Sequence, residues 1–231
     1  MKKYIQSYRL FFGNCQIRSI VSFAAVISGL TVLCGIIGCF PVNEFLSGLA
    51  QGISTMLSSL SAVFGLIFMN ALYQYLSPVT PGHKYYASLP DGAAHFRRAI
   101  AAGNLFGIIT GLGLIALISV AYKLIGINNN FVFFGVMLLF IATGVCNFTG
   151  FIRNNTARII AMMGVFCLFG FLAGIFGFLT DAGEDEGTTG LDSLFSSVGI
   201  TVTVGVVSVV VFAAGLIYAL TVAEKKWGEL R

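Results

Sequence analysis

The sequence predicts an all-α integral membrane protein with six transmembrane helices and both termini on the cytoplasmic side. Composition is the first reason. Hydrophobic residues make up 57% of the chain and charged residues 10%, against about 25% charged in ordinary soluble domains. So few charges cannot cover a water-facing surface, so the bilayer is the main solvent and one membrane domain occupies 1–231. The second reason is a set of apolar runs long enough to span. The third is the charge pattern. Twelve of the thirteen Lys and Arg fall in segments that alternate with segments holding most of the acids. Basic clusters stand at Lys2/Lys3/Arg9/Arg18, His83/Lys84/Arg97/Arg98, Arg153/Arg158 and Lys225/Lys226/Arg231. Between them lie Glu44, a lone Lys123 and the acidic run Asp181, Glu184, Asp185, Glu186, Asp192. Lys and Arg of short loops stay on the cytoplasmic side, which fixes the orientation.

Residues 1–14 read as a separate basic amphipathic helix. Tyr4, Ile5, Tyr8, Phe11, Phe12 and Cys15 recur at helical spacing, with Lys2, Lys3, Gln6, Arg9 and Asn14 opposite. Such a helix suits the inner membrane interface; the plainer reading is a frayed basic leader. The spans follow at 17–40, 52–76, 99–122, 131–151, 157–180 and 199–222. Each exceeds the roughly 20 residues needed to cross about 30 Å of hydrocarbon. Pro41 ends the first span, and Pro78 and Pro81 end the second. The first apolar run is too long for the h-region of a cleaved signal peptide.

Two connections are long. Residues 77–98 form the largest cytoplasmic one, in which Thr80-Pro81 and Pro90-Asp91 are helix starts. They make it an elbow lying against the membrane. Residues 181–198 form the largest outer one. Its Gly-rich acidic part precedes Leu191, Leu194, Phe195 and Val198, spaced i, i+3, i+4, i+7. That spacing predicts a short amphipathic helix dipping back before the last span. No internal repeat is visible, and the unequal loops argue against an inverted-repeat carrier.

Several chemistries are disfavoured. No Asp, Glu, Lys, Arg or His falls in the middle of a predicted span, and ion-coupled carriers, proton relays and voltage sensors usually need one. There is no Gly-x-Ser-x-Gly, His-Glu-x-x-His or GxxxxGK[ST], so no catalytic residue, metal site or phosphate loop is assigned. The basic residues flank apolar runs without interleaved aromatics, which fits anionic lipids rather than nucleic acid. The five cysteines lack metal-ligand spacing and read as buried free thiols, with Cys34 and Cys39 near enough in sequence to pair as the alternative.

Small and weakly polar residues remain inside the spans. Gly103, Gly107 and Gly111 form overlapping GxxxG repeats, and Gly170 with Gly174 forms another. These serve packing within the bundle or contact between subunits. Span two carries Ser54, Thr55, Ser58 and Ser59 on its outer half, with Asn70 and Gln74 deeper. They either bond their own helix carbonyls or line a translocation path for amphipathic cargo. The many Phe of spans four and five read as lipid-facing or core.

The layout resembles the ABC-2-type exporter permeases, including a type V-like arrangement. The local match is Tyr85-Tyr86-Ala87-Ser88-Leu89-Pro90, with Arg97-Arg98 leading into span three. In that family a Leu-Pro within an "slP" stretch occupies this loop. Here Asp91-Gly92-Ala93-Ala94 follows where many members are richer in Ser and Arg. The resemblance implies a half-transporter: two copies, as a homodimer, each engaging a separate cytoplasmic ATPase that holds the ATP and Mg. This chain is then no enzyme and holds no cofactor. His83, Lys84, Tyr85, Tyr86, Leu89, Pro90 and Asp91 are the implied ATPase-coupling residues, and the plainer reading of His83 and Lys84 is a solvated loop. Leu191, Leu194, Phe195 and Val198 are the implied exit lid. The implied setting is a bacterial plasma membrane, and the implied cargo is an amphipathic antimicrobial or toxin peptide of the phenol-soluble modulin type. A membrane scaffold without transport activity is the alternative, and an ion-coupled carrier is the next.

Overall fold

The computed structural model describes residues 2–38, 73, 85, 88–125, 131–152, 154, 156–161, 163–164, 167 and 198–228. Among them four long helices carry the fold: α1 (Lys2–Gly38), α2 (Gly92–Ile125), α3 (Phe131–Thr149) and α4 (Val198–Gly228). No strand occurs among the described residues. Gly92–Leu117 and Val202–Lys225 are each long and apolar enough to cross a bilayer, and Gly135–Thr149 is a shorter apolar stretch.

The expected break between an N-terminal helix at 1–14 and a first span at 17–40 is absent, because α1 runs unbroken from Lys2 to Gly38. Only Gly13 and Asn14 weaken the helix at that point. One glycine costs about 1 kcal/mol, which the surrounding apolar residues outweigh. Pro41, the next residue able to stop a helix, lies further on.

Contacts fix the directions of the helices. Gly111 of α2 faces Leu139 of α3, while Asn104 bonds Asn147 further along, so α2 and α3 are antiparallel. Phe140 meets Phe212 and Phe148 meets Tyr218, so α3 and α4 are parallel. Phe96 near the start of α2 stacks on Trp227 near the end of α4. The start of α2, the end of α3 and the end of α4 therefore share one end of the bundle, called the foot here. Tyr73 joins them there, against Phe96 and Phe151. α3 thus finishes at the foot and α4 begins at the far end.

Small residues allow the closest approach. A Cβ on Gly215 would collide with the carbonyl oxygen of Gly144, and one on Gly144 would lie 2.7 Å from the carbonyl oxygen of Val211. Ala219 and Ala223 continue the Gly215 stripe at four-residue spacing and are fully buried. Between transmembrane helices, where lipid supplies no hydrophobic drive, such contact is the main cohesive term. Polar hydroxyls in these helices bond their own backbone. Thr143 donates to Leu139 O at 2.7 Å and Ser208 to Val204 O at 2.9 Å, which leaves no demand for water.

The outward faces stay apolar. Val202, Val206, Val209, Val210 and Ile217 of α4, with Leu105, Ile109 and Val120 of α2, are exposed in the single chain. Apolar faces of this kind are suited to cover by lipid or by a partner.

Candidate functional site

The foot is built from aromatic side chains at the helix ends. Phe96 stacks on Trp227 with centroids 4.7 Å apart, and Phe11 of α1 meets both rings edge-on at 5.6 and 5.8 Å. Tyr8 tilts against Phe106 at 5.2 Å. Residues 4–11 of α1 thus lie across α2 and hold it, and Ser7 Oγ and His95 Nδ1 add a polar tie at 2.9 Å. Burial pushes the Tyr8 phenol well above its ordinary range, so it stays neutral. Trp227 Nε1 is buried and has no hydrogen-bond partner among the described residues.

The sequence-marked elbow enters this cluster directly. Ser88 donates to the Tyr85 carbonyl through its amide at 3.2 Å and its hydroxyl at 2.8 Å. Gly92 N–H donates to Leu89 O at 3.1 Å, and His95 N–H to Asp91 O at 3.0 Å. Asp91 therefore supplies the first helical carbonyl of α2. Its φ of 57° is left-handed, a region that Asp tolerates better than most residues. The expected helix start after Pro90 is present, and the segment runs without a joint into the third predicted span. Tyr85 is 61% exposed, Pro90 and Asp91 are exposed, and Leu89 is half-buried. His83, Lys84 and Tyr86 lie outside the described residues.

Above the cluster is a polar network that helical periodicity does not assemble. Asn147 Nδ2 donates to Asn104 Oδ1 at 2.8 Å, and Asn104 Nδ2 donates to Asn147 Oδ1 at 3.2 Å. Tyr73 Oη also donates to Asn147 Oδ1, at 3.0 Å. Arg158 Nη1 donates to the Tyr73 carbonyl at 2.8 Å. The charge pattern groups Arg158 with Arg153 at the cytoplasmic side, at the start of the predicted span 157–180. It is fully buried, and Asn154 caps the helical turns that carry it. Asn154 Oδ1 accepts from Thr156 N–H at 3.0 Å and Ala157 N–H at 3.4 Å. Three separate stretches, 73, 104 and 147–158, meet here. A single Asn within an apolar run is the only signal in the sequence, and it does not identify a partner.

Of the other predicted residues, Gly103, Gly107 and Gly111 are buried along α2, and Gly111 packs on Leu139 within the chain. Val198 opens α4. Ser54, Thr55, Ser58, Ser59, Asn70, Gln74, Gly170, Gly174, Leu191, Leu194 and Phe195 lie outside the described residues. Cys146 is a buried free thiol as expected, whereas Cys167 is exposed. No group of three His, Cys, Asp or Glu able to hold a metal occurs among the described residues. Compared with protein-family models, curated proteins and solved structures, the chain matches none.

Proposed function

We propose that the chain is the permease subunit of an ATP-driven exporter of the ABC-2 type. It is a six-span half-transporter in a bacterial plasma membrane, with both termini cytoplasmic. It pairs with a second copy, engages a separate ATPase and moves amphipathic peptides outward. The residues at 188–198 cover the exit, and the polar stripe of span two faces the path. The short elbow from Tyr85 to Asp91 carries this reading. It is exposed at Tyr85 and continuous with α2, and Phe96 of that helix touches α1, α4 and Tyr73.

A push on Tyr85 from a closing ATPase pair therefore reaches three neighbouring elements through stacked rings, as a rigid-body shift requires. Further support comes from the course of the chain. Tyr73 and Phe96 lie at the same end, as do the end of α3 and the end of α4, while α4 begins at the far end. ATP and Mg belong to the partner, since this chain has no phosphate-binding loop of the GxxxxGK[ST] kind.

The test is Tyr85→Ala and Lys84→Glu in the purified complex. Both lower cargo-stimulated ATP hydrolysis while the complex remains intact. Unchanged hydrolysis and unchanged complex yield in both variants refute the coupling role and leave a scaffold as the better description.

A further inference from the structure

A cleft of about 610 Å³ opens sideways between the start of α1, the middle of α2 and α4. Ile5, Ala101, Leu105, Ile109, Phe212 and Leu216 line it. It extends about 12 Å along α2 from Ala101 to Ile109 at 1.5 Å per residue. Asn104 also borders it, but its Nδ2 is committed to Ile100 O and Asn147 Oδ1. The interior thus asks for an apolar occupant of the size usual for small-molecule sites.

Basic residues adjoin the lining residues on both α1 and α2. Arg98 lies one turn towards the foot, on the same α2 stripe as Ala101, Ala102 and Leu105. It is half-buried and has no ion pair or hydrogen bond among the described residues. Lys2 and Lys3 precede the lining residues Tyr4 and Ile5 of α1 and are likewise free of acids among the described residues. Glu224, the nearest described carboxylate on α4, is taken by Arg97 at 3.0 Å.

We propose that this cleft holds an acyl chain of an anionic phospholipid from the foot-side leaflet, with Arg98 meeting the phosphate. A half-buried guanidinium beside an apolar slot matches a molecule with a negative head and an apolar tail. A second copy of the chain fits less well. A twofold contact through this face would bring two acid-free basic rims together. The inference depends on the membrane placement and is independent of the ATPase reading.

The experiment uses the full chain purified in mild detergent and incubated with dioleoyl phosphatidylglycerol or dioleoyl phosphatidylcholine, with retained lipid counted by native mass spectrometry. Wild type retains phosphatidylglycerol in preference to phosphatidylcholine. Arg98→Gln lowers that retention about five-fold, the weight of one basic residue at an anionic lipid surface, and leaves phosphatidylcholine unchanged. Ala101→Phe, which fills the slot, lowers both. Equal retention of the two lipids by wild type overturns the proposal, and so does undiminished phosphatidylglycerol in both variants. Loss of self-association in Ala101→Phe with lipid retention unchanged also overturns it and points to a protein occupant. If Arg98→Gln does not yield folded protein, wild type is compared at about 50 mM and about 500 mM salt. The preference fades at high salt if a charge contact carries it, and a preference that persists refutes it.

Discussion

Replacing Gly215 by Ala tests the close backbone approach of α3 and α4. The added Cβ would collide with the Gly144 carbonyl oxygen and lie 3.0 Å from the Gly144 carbonyl carbon and Cα. Ordinary contact begins near 3.4 Å, and every atom in the way is backbone. No side chain can swing aside, so α3 and α4 must separate. Overpacking of this kind costs about 1–3 kcal/mol, while Ala gains up to about 1 kcal/mol over Gly in a helix. With the full helix gain the net loss is about 0–2 kcal/mol, a fall in Tm of up to about 8 °C for a chain of this size, and the difference from an unobstructed Gly→Ala change stays at about 1–3 kcal/mol.

Gly113 is the control, since a Cβ added there would meet nothing within 4 Å; Gly113→Ala keeps or raises Tm. Gly111→Ala falls between the two, because it meets only the movable methyls of Leu139 at 2.7 Å. Thermal unfolding in detergent, read by fluorescence-detected size exclusion, ranks the three. Equal Tm values for Gly215→Ala and Gly113→Ala refute the close α3–α4 crossing.

Asn147→Leu removes three hydrogen bonds, to Tyr73 and to Asn104. At about 0.6 kcal/mol each within a membrane bundle, the loss is about 2 kcal/mol. Adding Asn104→Leu brings less than its own single effect, as a double-mutant cycle in thermal unfolding will read. Trp227→Ala costs about 3–5 kcal/mol by emptying the foot. Trp227→Phe costs far less, because it keeps ring contact with Phe96 and removes an indole N–H that lacks a partner among the described residues; chemical denaturation separates the two variants. The Arg97–Glu224 pair joins side chains 51% and 53% exposed. Its coupling energy in a double-mutant cycle stays below about 1 kcal/mol and declines with added salt.

The all-helical fold and the starts of its membrane helices are legible in the sequence because apolar length and proline placement act locally. Pro90-Asp91 announces the start of α2, and the 131–151 run announces α3, which ends at Thr149. The unbroken α1 is not legible, since composition changes at residue 15 without any residue that stops a helix. The GxxxG pattern points to Gly103, Gly107 and Gly111, yet among the described glycines the close backbone-to-backbone approach is between Gly144 and Gly215. Those two glycines are on different helices, and neither belongs to a GxxxG repeat. Arg158 escapes the sequence for a related reason. Charge puts it at the cytoplasmic edge of a predicted span, but the Tyr73 carbonyl that receives it is not marked by charge. Pairings across helices are set by three-dimensional register, which the period of one helix does not encode.

The most direct measurement is purification of the tagged chain in mild detergent together with the soluble proteins of its neighbouring genes, with stoichiometry read by native mass spectrometry. The account predicts a stable complex of two permease copies with two ATPase subunits. A homogeneous preparation of the chain that never retains an ATPase would contradict it.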